Sequence, residues 1–425
     1  MTTDSPCTAP PLLDALDEQI RRAVAGARDQ LVGLSHEIHA HPELAFEEHR
    51  AAAALADAAG QAGFEVETGV AGLDTAVIAT YGTGELAVAL CAEYDALPGI
   101  GHACGHNVIA AAALGAAIGL AAVADQLDLR VKLVGTPAEE HGHGKIHLVE
   151  AGVFDDVTIA MMIHPSRNDV HPDAFRTQAV QRFRAIYAGR ASHAAAAPHE
   201  GVNAADAAVV AQVAVGLLRQ QVSDGSRIAA FVREGGVATN VIPDRAVVEC
   251  EARAFTMADC DELVGRVKAC FEAGAHATGA ALSLEQTEPD CAPLRQDARL
   301  AELYAAAISR TGRTASSADQ GTRGSTDMGN VSQLVPSIHP MIAIRGSKSR
   351  PHSPEFAADA ASRQADEAVV DGALGLAWTA SAAARAGTLR EQLLREQVER
   401  HLDGPRRPAS SEQVPSAPQN ERTGS

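Results

Sequence analysis

The sequence predicts an α/β protein with a smaller α+β domain inserted into it, and three observations carry that reading. Up to His164, apolar segments with few polar interruptions alternate with helical ones, the pattern of a mostly parallel sheet covered by helices. From residue 179 the order changes to strand, helix, two strands, helix, strand, and α/β material resumes near 297. The chain has 425 residues, and chains usually divide beyond roughly 250–300 residues.

The elements follow in order. Leu13, Leu16, Ile20, Val24, Leu31 and Leu34 recur at near-helical spacing and predict helix over 14–36. Pro42 interrupts it, and a second helix runs from Leu44 until Gly60 and Gly63 stop it. Residues 64–70 and 75–82 read as strands, and 84–98 as a stronger one that ends at Asp95 and Pro98. The loop Gly99–Asn107 leads into Val108–Ala124, a run of 17 uncharged residues. This run is near the lower limit for a membrane span, but it is built of Ala and Gly, so a helix buried against a sheet is the better reading. Residues 131–140 form the next strand, ending in Glu139 and Glu140, and 158–165 another, ending at His164. Three polar clusters therefore lie beyond the carboxyl ends of strands, the edge on which open α/β sheets build their sites.

The domain boundaries expected are 1–178 and 297–388 for the larger domain, 179–296 for a ferredoxin-like insertion, and 389–425 for a tail that starts as one charged helix over 389–404 and continues as Pro/Ser-rich disordered residues. The formal net charge of −19 repels phosphate backbones and argues against nucleic acid. Seven scattered cysteines are not a secreted disulfide framework, and the N-terminal residues lack a signal-peptide pattern. A cytoplasmic protein with no membrane segment is expected.

The chemistry-bearing residues gain weight together. Cys104 and His106 offer a thiolate and an imidazole two positions apart. Glu139 and Glu140 close one strand, His164 closes another, and His352 stands in Arg-Pro-His-Ser-Pro. Each is weak alone. As an ensemble of strand-end donors they suit two divalent ions sharing a water, with an adjacent carboxylate as general base.

Eight separated segments then make a resemblance specific. They are IHAHPELAFEE, AEYDALPGIGHACGHN, PAEE, MIHP, GRASHAAAAP, GGVATNVIPD, STDMGNVS and PHSPEF, spread over roughly 35–385. The chain resembles the M20 metallopeptidase family, in its aminoacylase-like and amidohydrolase-like branch. The resemblance implies a phosphorylase/hydrolase-like α/β catalytic domain with an inserted lid and dimerisation domain. It implies Cys104, His106, Glu140, His164 and His352 as ligands of two divalent ions, manganese or zinc. Glu139 would be the general base, and Asp95 the carboxylate that orients a ligand histidine. His193 would stabilise the oxyanion, often from the partner subunit. Asn240, Arg253 and Asp327 would hold the substrate, and a homodimer or higher homo-oligomer is implied.

The expected reaction is hydrolysis of a C–N bond in a small carboxylate-bearing molecule such as an N-acyl amino acid, dipeptide or aryl amide. Hydrolytic deamination of an activated aromatic amino acid is the alternative within the class, and a non-catalytic protein binding metal or small carboxylates is the alternative outside it. Two departures from the branch stand out: Asn107 replaces its usual Asp, and His141 and His143 stand where glycine is more usual, read as surface residues with contact to substrate or metal as the alternative. Arg345, Lys348 and Arg350 either steer an anionic substrate or form a solvated loop.

Overall fold

A computed structural model describes residues 14–318 and 324–402. Among the described residues the strands are, in chain order, β1 (Glu65–Thr68), β2 (Val77–Tyr81), β3 (Leu86–Glu93), β4 (Leu129–Thr136), β5 (Ile159–Met161), β6 (His164–Ser166), β7 (Ala179–Ala188), β8 (Arg227–Glu234), β9 (Arg245–Ala254), β10 (Ala281–Gln286), β11 (Ser337–Ile338) and β12 (Met341–Ala343). They divide between two compact units. The first ends at Phe175 and resumes at Arg295 and again at Val331; the second is Arg176–Leu294 together with 324–330.

The first unit holds a six-stranded sheet in the order β1-β2-β4-β3-β5-β11. Its centre is parallel (β3 with β4, β3 with β5, β5 with β11), while β1 and β2 add an antiparallel edge. The sheet is thus mostly parallel, as expected, with an antiparallel edge that the sequence did not reveal: the link from β1 to β2 is too short for the crossover that a parallel pair requires. All eight residues of β3 are buried, which explains the unbroken apolar run, because a central parallel strand is covered on both faces. Each Val or Leu buried there contributes about 1.5–3 kcal/mol.

The Ala-rich run folds as the helix His106–Ala121, buried over nearly its whole length. Its glycines set how closely it packs. A Cβ at Gly115 would lie 2.8 Å from Ala373 Cβ, and one at Gly119 3.0 Å from Val24 Cγ2. Small residues thus let the helix Arg363–Arg385 and the N-terminal helices approach, which is how a chain with 3% aromatics fills a core. Among the described residues no helix is long and apolar enough to cross a membrane.

The predicted first helix is two, Ala15–Gly26 and Arg28–Ala40, broken at Ala27. Asp14 caps the first, accepting hydrogen bonds from the N–H groups of Leu16 and Asp17. The charged helix expected at the start of the tail is Gly387–Leu402, and it packs on this unit. Leu393 is fully buried, Arg299 pairs with Glu396 at 2.7 Å, and Gln397 Nε2 donates to the Asp156 carbonyl. The remainder of the predicted tail lies outside the described residues.

The second unit is a four-stranded antiparallel sheet in the order β10-β7-β9-β8, with the helices Ala204–Leu218 and Met257–Thr278 packed on it. The chain order strand-helix-strand-strand-helix-strand with the first and third strands central is the ferredoxin-like arrangement. Close helix–helix approach is again glycine-dependent, since a Cβ at Gly274 would lie 2.3 Å from the Ala207 carbonyl oxygen.

Candidate metal centre

The site grows from the carboxyl end of β3. Beyond Glu93 the chain turns at Asp95 and reaches Cys104, Gly105 and the first residue of the buried helix, His106. Gly105 has φ 79°, and a Cβ there would meet Pro165 Cγ at 2.9 Å. Only glycine fits both demands, and this turn sets Cys104 and His106 side by side.

The histidines are held so that one nitrogen of each is left for a ligand. His106 Nδ1 lies 2.9 Å from both Asp95 Oδ1 and the Asp95 carbonyl, so it carries the proton and donates. Its Nε2 is buried and has no hydrogen-bond partner among the described residues. His164 opens β6, which pairs in parallel with β12. Its Nδ1 donates to the Pro165 carbonyl at 2.8 Å, turning Nε2 to within 3.3 Å of Cys104 Sγ. A second partner on the remote nitrogen is the usual device for fixing a metal-ligating imidazole.

Glu139 and Glu140 follow β4 after Ala138, whose φ is 59°. The Glu140 N–H donates to Asp95 Oδ2 at 3.0 Å, and Glu140 Oε1 lies 3.3 Å from His352 Nε2. Glu139 Oε2 and Glu140 Oε1 are each 3.9 Å from His106 Nε2. His352 also has a positive φ, 65°, and its N–H is anchored on the Ala103 carbonyl at 2.8 Å. Non-glycine residues in the left-handed region at Ala138 and His352 mark backbone held against its preference, as happens at functional sites.

Three donor sets result, each with its atoms within 4.8 Å of one another: Cys104, His106 and His164; Cys104, Glu140 and His352; and Glu93, His106 and Glu139. Donors at the usual 2.0–2.3 Å from an ion stand about 3–4 Å apart around it, and the pairs Cys104–His164, Glu93–His106, His106–Glu139 and Glu140–His352 lie 3.3, 3.5, 3.9 and 3.3 Å apart. Donors of thiolate, imidazole and carboxylate type clustered this closely, most of them buried or half-buried and His352 exposed, fit divalent ions.

Burial opposes ionisation of Asp95, but His106 outweighs it and keeps the carboxylate below its ordinary range. Burial likewise opposes a charged His106, but Asp95 raises it well above the usual histidine range, so an ion bound at Nε2 would displace a proton there. Burial, then Glu140, push the Cys104 thiol well up; a cation nearby reverses that and draws out the thiolate. Burial lowers His164 and keeps its ring neutral, the form that ligates.

The sequence-predicted residues thus fall into groups. Cys104, His106, Glu139, Glu140, His164, His352 and Asp95 come together in the first unit. The second unit holds the other four at two places. His193 is exposed and forms a bridge with Val241, and Ala194 N donates to the Asn240 carbonyl, so His193 and Asn240 share one loop pair. Those loops adjoin the start of β9, where Gly189 N donates to the Asp244 carbonyl. Arg253 lies near the far end of β9, bonded to Glu251 and facing Ser325 Oγ at 3.5 Å; the buried Asp327 follows two residues later. At 3.2–3.4 Å per strand residue, Arg253 is about 26 Å from the Arg245 end. One copy of the unit does not bring Arg253 and Asp327 to His193 and Asn240.

Two expectations change. His141 is exposed, but His143 is 4% exposed rather than a surface residue, because the chain reverses at His143 (φ 56°) into the helix Gly144–Glu150. Asn107 serves packing: its Nδ2 donates to Ser35 Oγ and to the Ala360 carbonyl, both at 2.9 Å. Sequence reasoning passed over three buried residues beside the site, Glu93, Lys145 and His339. The His339 ring lies 5.6 Å from that of His164, and burial pushes its pKa down to about 3. Glu93 had a legible signal, a lone acid closing an apolar strand; Lys145 and His339 had none.

Comparison with known proteins agrees with this geometry. The chain is 37% identical over 392 residues to the Xaa-Arg dipeptidase of Mus musculus, covering 87% of this chain and 89% of that protein. It is 34% identical over 287 residues to a p-aminobenzoyl-glutamate hydrolase chain of Escherichia coli (strain K12), covering 62% of this chain and 58% of that one. Among solved structures, a Bacillus subtilis protein described as a dinuclear metal binding peptidase from the M20 family shares the fold, with a TM-score of 0.59 at 22% identity over 82% of this chain and 99% of that one. Residues 89–371 match Peptidase family M20/M25/M40, and they contain every donor of the three sets; the chain belongs to that family.

Proposed function

We propose that this protein is a metal-dependent hydrolase that cleaves an amide bond in a small carboxylate-bearing molecule, with dipeptides, N-acyl amino acids and aryl amides as the substrate class. The observation that carries the reading is the convergence of Cys104, His106, Glu139, Glu140, His164 and His352 on one rim, with Cys104 and His106 buried and His352 at its exposed edge. The relatives named as a dipeptidase and as an aminobenzoyl-glutamate hydrolase support the bond type.

Cys104, His106, Glu140, His164 and His352 are the proposed ligands of two divalent ions, zinc or manganese, which when bound polarise the scissile carbonyl and acidify water. Asp95 keeps His106 in the tautomer that presents Nε2. Glu139 accepts a proton from the attacking water as the new C–O bond forms. It then returns the proton to the nitrogen as the C–N bond breaks, giving an amine and a carboxylate. His193 is the proposed donor to the developing oxyanion, and Asn240, Arg253 and Asp327 the proposed substrate contacts. Separation of these four along β9 supports a homodimer in which the partner subunit supplies His193 and Asn240. The helix Ala204–Leu218 adds support, since Val209, Val213 and Leu217 are 57%, 59% and 70% exposed, an apolar stripe suited to a second copy. Scattered, mostly buried cysteines support a reducing, cytoplasmic setting.

Metal-reconstituted protein incubated with a pool headed by Xaa-Arg dipeptides, and containing N-acyl amino acids and aminobenzoyl-glutamate, tests the reading by mass spectrometry. Paired amine and acid products that disappear on chelation are expected. A folded, metal-loaded protein producing none overturns the reading.

A further inference from the structure

We infer that Glu93 is an additional ligand of the metal centre, presented through a single oxygen because Lys145 holds the other. The inference rests on the metal-centre reading above and adds a residue to it.

Glu93 is the last residue of β3 and is 0% exposed. Its Oε1 accepts a hydrogen bond from Lys145 Nζ at 2.6 Å, and Lys145 is itself 0% exposed. Glu93 Oε2 has no hydrogen-bond partner among the described residues. It lies 3.5 Å from His106 Nε2, which also has none. Together with Glu139 these donors fall within 4.8 Å of one another.

A carboxylate has room for about four hydrogen bonds, and leaving one buried oxygen bare is costly. A pair built only for stability would surround both oxygens. Here one oxygen is clamped and the other, next to a bare imidazole nitrogen, is left open, as a monodentate ligand requires. Alternation along an extended chain also puts Glu93 on the same side as Asp95, the orienting carboxylate of His106. Because Lys145 balances its charge, Glu93 adds a donor to a centre already rich in anions without adding net charge.

The test is titration of metal-free protein with Co2+, read by visible absorption, calorimetry and bound metal per chain. Wild type is compared with Glu93→Gln, Lys145→Met and the double variant Glu93→Gln/Lys145→Met. The double variant leaves no unpaired buried charge, so it keeps the test valid if Glu93→Gln alone does not fold. Glu93→Gln and the double variant should each weaken one Co2+-binding step by at least about tenfold, a loss seen even for residues behind the ligands, and alter its absorption band. Lys145→Met keeps the carboxylate and should retain both steps. A double variant with wild-type Co2+ affinity and spectrum overturns the inference, as does Lys145→Met losing as much as Glu93→Gln. Cys104→Ser serves as control: if it too leaves Co2+ binding unchanged, the metal-centre reading itself fails.

Discussion

Asp95 gives the sharpest test of how the centre is held. Its Oδ1 accepts from His106 Nδ1 at 2.9 Å and its Oδ2 from the Glu140 N–H at 3.0 Å, so one fully buried carboxylate fixes two proposed ligands. Asp95→Asn keeps the size but replaces one acceptor oxygen by a donor. Either the His106 tautomer or the Glu140 backbone loses its partner. Loss of such a supporting contact typically costs 10–100-fold in metal affinity, which is about 1.4–2.7 kcal/mol at 25 °C. Because two ligands are affected, the upper part of that range is expected. The assay is competition for Zn2+ against a chromogenic chelator, with circular dichroism to show that the fold persists. Affinity within about twofold of wild type would refute the idea that Asp95 organises the centre.

Three further outcomes follow from the same structure. Glu48 is buried, accepts from Thr75 Oγ1 and the Ala138 N–H at 2.8 Å each, and has its pKa raised to about 7 by burial and then by the negative charge of Asp95. The folded state thus holds this proton more tightly than the unfolded chain. The resulting stabilisation is complete below the ordinary value of 4.5 and is lost as pH rises through about 7, a change on the order of 3 kcal/mol. Glu48→Gln should therefore gain on wild type in denaturant stability between pH 4.5 and 8, whereas parallel curves would dismiss the shift. Gly105→Ala, with φ 79° and Pro165 Cγ 2.9 Å from the added Cβ, should destabilise by about 1–3 kcal/mol and weaken metal binding, both readable in one thermal-shift titration. Chelation should abolish turnover while leaving far-UV circular dichroism unchanged, because the cores of both units are built without the metal donors; unfolding on chelation would mark the centre as structural.

Much of the site was legible because it lies on local devices. The apolar run 86–92 is unmistakable as a central strand, and Asp95, the Cys104–His106 pair and Glu139–Glu140 sit directly after strand ends, where the fold places its chemistry. What escaped depends on contacts between distant segments. Glu93 and Lys145 are 52 positions apart, and no periodicity links them. His143 looked like a loop residue because a single positive φ turns it inward. The separation of Arg253 from His193 and Asn240 is a matter of strand register, which only the β7–β9 pairing defines. The sheet's antiparallel edge was likewise hidden, since β1 and β2 are each compatible with either direction.

The central claim, that Glu139 moves the proton in a metal-dependent hydrolysis, is tested most directly by single-turnover rates of metal-loaded wild type and Glu139→Gln on a dipeptide cleaved by the wild type, with bound metal counted in both. Equal metal content and a rate at least about 100-fold lower in the variant are expected, the scale of general acid–base catalysis. A variant that hydrolyses at the wild-type rate with its metals in place would contradict the claim.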